Sequence, residues 1–218
     1  MTDAPDPPSD PVDRPIPVWA ADPPPLPGWR DGGATTAFTN PWLSVTEHDA
    51  VAPTGTPARY GVARFANLAA GVLPIHADGT VTLVGQSRFP LMNYSWEMPE
   101  GGVPFGEDPL AGARRELAEE AGLAAEHWME VLRMELSNSV TDEQAIAWLA
   151  WGLSPVPVAP DPTEVIAIVR VPFTALMHEI HRGSIRDAFT VATALRAYHM
   201  AREGLLPGWL AHAMLSRV

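Results

Sequence analysis

From Pro41 onward, apolar and polar residues alternate in short runs, the period of two expected of strands with one face against a core. "WLSVTEHDAV" and "ARYGVARF" predict two strands separated by the turn "APTGTP". "AGVLPI" leads through the turn "HADG" into "TVTLVGQSRF", which predicts a hairpin. "HWMEVLRMEL" and "EQAIAWLAWGL" predict a strand pair around "SNSVTD", and "EVIAIVRV" predicts one strand more. The spacing turns helical in "FTALMHEIHRGSI" and "DAFTVATALRAYHMAREG", where Asp187 stands ready to cap the second helix. A further helix is marked by its punctuation: Asp108 as cap, Pro109 at the first helical position and Gly122 at a left-handed exit. Leu110, Ala113, Leu117 and Ala121 fall on one stripe of it, the face that packs on a sheet. Strands first, one embedded helix and then terminal helices predict an α/β fold with a mixed sheet covered by helices.

Composition adjusts this picture at its start. Residues 1 to about 30 are so rich in proline that neither helix nor sheet is expected, although Trp19, Trp29 and the run Pro23-Pro24-Pro25 could pack along a partner or the chain's own domain. The 218 residues suffice for one medium domain with an appendage, and 46% hydrophobic with 18% charged residues is ordinary for a globular protein. A formal charge of -12 excludes a surface built for nucleic-acid phosphates and means that any phosphorylated substrate needs metal ions or local arginines to receive it. Without cysteine there is neither a disulfide nor a thiolate metal site. No apolar run is long enough to span a membrane, and the acidic N-terminus has the wrong chemistry for a signal peptide. A cytoplasmic protein with no membrane or nucleic-acid partner is expected.

The chemistry concentrates between Trp96 and Leu123, "WEMPEGGVPFGEDPLAGARRELAEEAGL". Glu116, Glu119 and Glu120 share an arc of roughly 100° on the helix, beside its apolar stripe. Such like charges repel by roughly 0.2–0.5 kcal/mol per pair, so a cation is the natural reason to gather them beside a core. The plainer reading is a solvated acidic face with Arg115 paired to Glu119 one turn on.

Read from Gly101, the residues fit G-x5-E-x7-R-E-U-x-E-E-x-G-U, where U is a bulky aliphatic: Gly101, Glu107, Arg115, Glu116, Leu117, Glu119, Glu120, Gly122 and Leu123 all match. This resembles the box of the Nudix hydrolases. The resemblance implies an α/β/α sandwich with a mixed sheet, a loop–helix–loop metal site, and hydrolysis of a nucleoside diphosphate linked to another group with Mg²⁺ or Mn²⁺, two or three ions in all. It makes Glu116 and Glu120 the ligands of choice, with Glu119 supporting them and counted among the catalytic carboxylates, and the backbone of Glu100 supplying a further ligand. Gly101, Glu107, Arg115 and Gly122 are then structural, with Glu107 anchoring the loop by pairing with Arg115.

Residues 40–200 further resemble the ADP-ribose (ADP-sugar) pyrophosphatase branch. The likeness lies in "NPWLSVTEHDAV" and "YGVARFANLAAGVLPI", in "LVGQSRFPLMNYSWEMPEGG", in "SNSVTDEQAIAWLAWGL", and in "PDPTEVIAIVRVPF" followed by "GSIRDAFTVATAL". This implies extra N-terminal antiparallel strands, a homodimer, and splitting of ADP-ribose into AMP and ribose 5-phosphate, with another nucleoside diphosphate sugar or a non-catalytic nucleotide-binding module as alternatives. The domain organisation expected is an arm over 1–38, strands that dimerise over 39–66 and the hydrolase domain over 67–218. Arg88 is placed against the substrate phosphates or on the surface of a strand; Glu97 orients Arg88, touches the nucleotide or is a buried strut. Glu164 is preferred to Glu143 as general base. Two departures weaken the sugar assignment: Pro99-Glu100-Gly101 stands where the branch commonly has Pro-Ala-Gly, and "SNSVTDE" lacks the usual Pro-Gly. His178 and His181 could mimic a metal pair, and Trp96, Trp128, Trp148 or Trp151 could stack a base, though core packing is the plainer role for such tryptophans.

Overall fold

The computed structural model describes residues 27–158 and 165–216. Trp19, the Pro23-Pro24-Pro25 run and Glu164 lie outside them. Contacts divide the chain into two units, Met1–Thr35 with Glu47–Tyr60, and Thr36–Thr46 with Gly61–Val218. Strands β1 (Arg30–Thr39), β2 (Leu43–Val51) and β3 (Pro57–Phe65) form a three-stranded sheet in that order. In the first unit Arg59 pairs with Glu47, His48 Nδ1 lies 3.1 Å from Asp31, and Trp29 meets Tyr60 edge-on at 5.1 Å. The sequence placed residues 30–38 in the arm; the structure puts them in β1, which is exposed at every position and so shows none of the alternation by which strands are read.

The second unit holds two sheets. β7 (Glu100–Pro104), β4 (Asn67–Pro74), β9 (Gln144–Pro155) and β8 (Leu123–Glu135) lie in that order, with β4 and β9 parallel and the other pairs antiparallel. β10 (Ala167–Pro172), β5 (Thr80–Arg88) and β6 (Asn93–Glu97) form an antiparallel sheet. The expected hairpin between β4 and β5 exists only at its turn, through an isolated Ile75–Val81 bridge and the bond from His76 N to Thr80 O; beyond it the two strands enter different sheets.

Alternation along β4 and β9 explains the layers. Leu73, Ile75, Ala145, Ala147 and Leu149 join one core with α2 (Phe173–His181), α3 (Ala188–Arg202) and α4 (Gly208–Leu215). Ala70, Val72, Ile146, Trp148 and Ala150 join the other with Ala113, Leu117 and Ala121 of α1 (Pro109–Ala121). Covered on both faces, these strands read as continuous apolar runs, and the layers are helix, sheet, helix. Among the described residues no helix is long and apolar enough to cross a membrane.

α1 forms as its punctuation requires: the Asp108 side chain accepts from Leu110 N at 3.1 Å, Pro109 leads, and Gly122 exits at φ 64. Asp108→Ala is expected to lower stability by about 1 kcal/mol in urea titration, an ordinary cap loss. β6, β7 and α4 were not read from the sequence. β7 carries Gly101, Gly102 and Pro104, which argue against a strand but are tolerated at the sheet edge where β7 lies. α4 is short and opens on Pro207-Gly208, a turn signal, yet Leu210 and Met214 are fully buried.

Candidate active site

Edge strand β7 feeds directly into α1, so the backbone of Glu100 and Gly101 runs past the carboxylate side of the helix. Glu100 N donates to Glu120 Oε2 at 3.0 Å. A Cβ at position 101 would overlap the Glu116 carboxylate, so glycine here leaves that carboxylate room in its observed position. Glu116 and Glu120 are 8% and 3% exposed, whereas the Glu119 side chain is half open to solvent. Arg115 serves this cluster: its Nη1 donates to Glu116 Oε1 at 2.7 Å and Glu119 Oε2 at 3.2 Å, and its Nη2 to Gly102 O at 3.2 Å. This corrects the expected Glu107–Arg115 pair. Glu107 stays exposed in the turn after β7, because the guanidinium finds two carboxylates on its own helix.

A second group stands beside the first. Arg88, at the end of β5, makes a forked contact to Glu97, with Nε at 3.1 and 3.0 Å from its two oxygens and Nη2 on Oε2. Nη2 also lies 3.5 Å from Glu100 Oε1. Glu97 is 2% exposed, and the fork pairs it with the Arg88 guanidinium. Burial pushes the Glu100 carboxyl well above the usual carboxylate range, with the charges of Asp187 and Glu97 adding to the shift and Arg88 opposing it.

That shift has a sign that can be measured. A carboxyl that binds its proton more tightly folded than unfolded stabilises the protein below the ordinary carboxylate range, and the contribution is lost as pH rises through the raised folded value. Glu100→Gln, which never ionises, is therefore expected to raise the melting temperature of the metal-free protein at pH 8, with the gain shrinking toward pH 4. An equal change at both pH values would contradict the assignment.

Arg88, Glu97, Glu100, Asn93 and Ser95 on one wall, with Arg186 and Asp187 on the other, line a cleft of about 700 Å³. Asp187 also caps α3, accepting from Thr190 N at 2.7 Å, the role its position predicted. Glu143 does not line this cleft; it is half-buried before β9, where burial pushes its carboxyl up. Of the cleft residues, Asn93 and Ser95 were missed because the β5–β6 pairing that sets them beside Arg88 is not visible in the sequence, and Ser184 and Arg186, between α2 and α3, were missed as well.

Among the described residues no three His, Asp or Glu side chains already converge on one point, so none joins His178 and His181 as a third ligand. The donor chemistry nevertheless fits a hard divalent cation: the groups are carboxylate oxygens, two of the side chains are buried, and Glu100 Oε2 is a buried acceptor with no hydrogen-bond partner. The tryptophans follow their plainer role: Trp148 is in the α1-side core and Trp96 packs against the other.

Comparison with known proteins agrees with the fold and the box. The NUDIX domain model matches residues 66–191, more than half of the chain. The ADP-ribose pyrophosphatase of Mycobacterium tuberculosis is 29% identical over 139 residues, 62% of this chain and 67% of that protein. The methanol dehydrogenase activator of Bacillus methanolicus is 29% identical over 156 residues, 71% of this chain and 84% of that one. A crystal structure of an ADP compounds hydrolase superposes with a TM-score of 0.75 at 19% identity, covering 82% of this chain and 97% of that chain, a likeness of fold. With a complete box, carried on a helix between glycine-bounded turns and covered by the family's own pattern, the chain belongs to the Nudix hydrolases.

Proposed function

We propose that this enzyme splits the pyrophosphate of ADP-ribose into AMP and ribose 5-phosphate. The observation that carries the reading is the joining of two groups through Glu100: the α1 carboxylates, bonded to its backbone, and the forked Arg88–Glu97 pair, reached by its side chain, at the edge of a cleft of about 700 Å³. The likeness to a protein named ADP-ribose pyrophosphatase supports it. Glu116 and Glu120, with Glu119 and the Glu100 carbonyl, are the groups to hold Mg²⁺ or Mn²⁺, which when bound neutralises pyrophosphate charge and lowers the pKa of water.

The chain's own residues supply the rest. Arg88, fixed by Glu97, presents the outer edge of its guanidinium to phosphate oxygens, and Arg186 adds charge from the opposite wall. Arg115 sets the rotamers of Glu116 and Glu119. Glu164 is assigned as general base on the family resemblance. Glu164→Gln is expected to cut kcat by about 10²–10⁴, and Glu143→Gln by under about tenfold. The reverse order would move the base to Glu143.

Purified protein incubated with Mg²⁺ and a panel of nucleotide sugars, dinucleoside polyphosphates and oxidised triphosphates tests the substrate. The highest kcat/KM is expected on ADP-ribose, with AMP and ribose 5-phosphate as products; a preference for a polyphosphate or triphosphate would remove the assignment. Assembly as a homodimer is part of the proposal, supported by β1, exposed throughout its length. Light scattering that gives a single-chain mass at working concentration would discard it.

A further inference from the structure

The tip that joins β5 to β6 is built from residues that water covers poorly. Such turns are ordinarily made of Gly, Asn, Asp or Ser around an occasional Pro. Here the tip is Phe89-Pro90-Leu91-Met92, a short 3₁₀ turn closed by Met92 N donating to Phe89 O at 3.2 Å. Phe89, Leu91 and Met92 are 83%, 73% and 78% exposed. Met92 stands at φ 48, the one described residue other than glycine at positive φ. Exposed apolar side chains on a strained backbone mark places where a ligand or partner uses them.

Pro90 and Leu91 line the cleft, whereas Phe89 and Met92 do not. Strand register gives the cleft a direction. Its β6 wall runs from Glu97, opposite Val84, through Ser95 to Asn93, opposite Arg88, and then into the tip. At about 3.3 Å per residue this wall is roughly 13 Å long. The Arg88 guanidinium folds back along it to meet Glu97, with Glu100 at 3.5 Å, so its charge sits well back from the tip. The cleft is polar where a pyrophosphate belongs and apolar about one nucleoside's length away. Of the two groups flanking the diphosphate of ADP-ribose, ribose presents hydroxyls all round. Only adenosine ends in a flat face that asks for no hydrogen bond. The Pro90 and Leu91 side chains offer neither donor nor acceptor. A sugar set against them loses water without replacement, whereas the face of a base gains by being covered.

We infer that Pro90 and Leu91 form a platform for the nucleobase, and that Leu91 sets affinity for the nucleotide half of the substrate by covering the face of its base. The inference rests on the ADP-ribose reading and orients that substrate, with adenosine toward the β5–β6 tip and ribose away from it. Because the base is remote from the bond that breaks, its contact is the same in ground and transition states, and its loss appears in KM rather than kcat.

Steady-state kinetics on ADP-ribose at saturating Mg²⁺, with inhibition by its two products, test this. AMP keeps the base and ribose 5-phosphate lacks it. Leu91→Ser and Leu91→Asp are expected to raise KM for ADP-ribose and Ki for AMP about fivefold or more. In the same variants kcat and the Ki of ribose 5-phosphate should stay within about twofold of native. Leu91→Met keeps an apolar cover and is expected to hold KM within about twofold. A side chain 73% exposed is not needed for folding, which a melting curve on each variant checks. Leu91→Gln gives the same comparison if one polar variant melts early. Unchanged KM, or equal rises in both Ki values, would overturn the inference and leave the ADP-ribose reading intact. Equal rises together with a fall in mass by light scattering would assign the tip to an interface between copies instead. Failure of the native enzyme to hydrolyse ADP-ribose would remove both.

Discussion

Replacing Glu120 by Gln is expected to lower turnover about 10³-fold or more, roughly 4 kcal/mol of transition-state stabilisation, without unfolding the protein. The carboxylate is 3% exposed and accepts from Glu100 N, a bond that a Gln side-chain oxygen can also accept. The substitution also removes one of the negative charges that act on Glu100. The fold should therefore survive in the metal-free protein while the oxygen charge needed by a divalent ion is gone. Kinetics at millimolar Mg²⁺ together with a melting curve separate the two effects. Turnover within about tenfold of the native rate, on a folded variant, would sink the metal assignment.

Arg88→Met is expected to cost both stability and activity. It strips the guanidinium from Glu97, which is 2% exposed, and from Glu100, leaving two carboxylates facing each other in a poorly solvated wall. Breaking a buried pair by removing one partner costs about 3–5 kcal/mol; because the Arg88 side chain is 36% exposed, roughly 2–3 kcal/mol is the better expectation here. Loss of the charged contact to phosphate adds about 10–100-fold in kcat/KM. Arg88→Lys discriminates packing from geometry: a point charge should recover part of the stability but not the forked contact, so activity should lag behind folding. If urea titration shows Arg88→Met as stable as the native chain, Glu97 does not depend on Arg88.

The elements legible in the sequence were those in which one local rule acts alone. α1 declared itself by Asp108, Pro109 and Gly122, and all three behave as their chemistry demands. β8 and β9 showed in their apolar runs, and the box located Glu116 and Glu120 on the buried side of α1. What escaped depends on tertiary context. Pro104 and the glycines of β7 are acceptable because among the described residues no strand pairs with its far edge in the sheet, and sequence cannot say which strand is an edge. Arg115 had three carboxylates within reach along the chain, and the rotamer that prefers Glu116 and Glu119 over Glu107 is decided by the approach of Gly102 O. Asn93 carries no signal of its own in "PLMNYS"; its place opposite Arg88 is a matter of strand register.

Arg115 carries one consequence further. With contacts to Glu116, Glu119 and the Gly102 carbonyl, its guanidinium is a resident placeholder for external cations. Loading a divalent ion would then be an exchange of counter-charges, in which an internal arginine would yield oxygens to the incoming ion, and the fold need not await the ion to be tolerable. Chelation with EDTA is expected to end turnover while shifting the melting temperature by only a few degrees. Arg115→Ala should tilt that balance, leaving a chain that leans on magnesium for its integrity as much as for its chemistry.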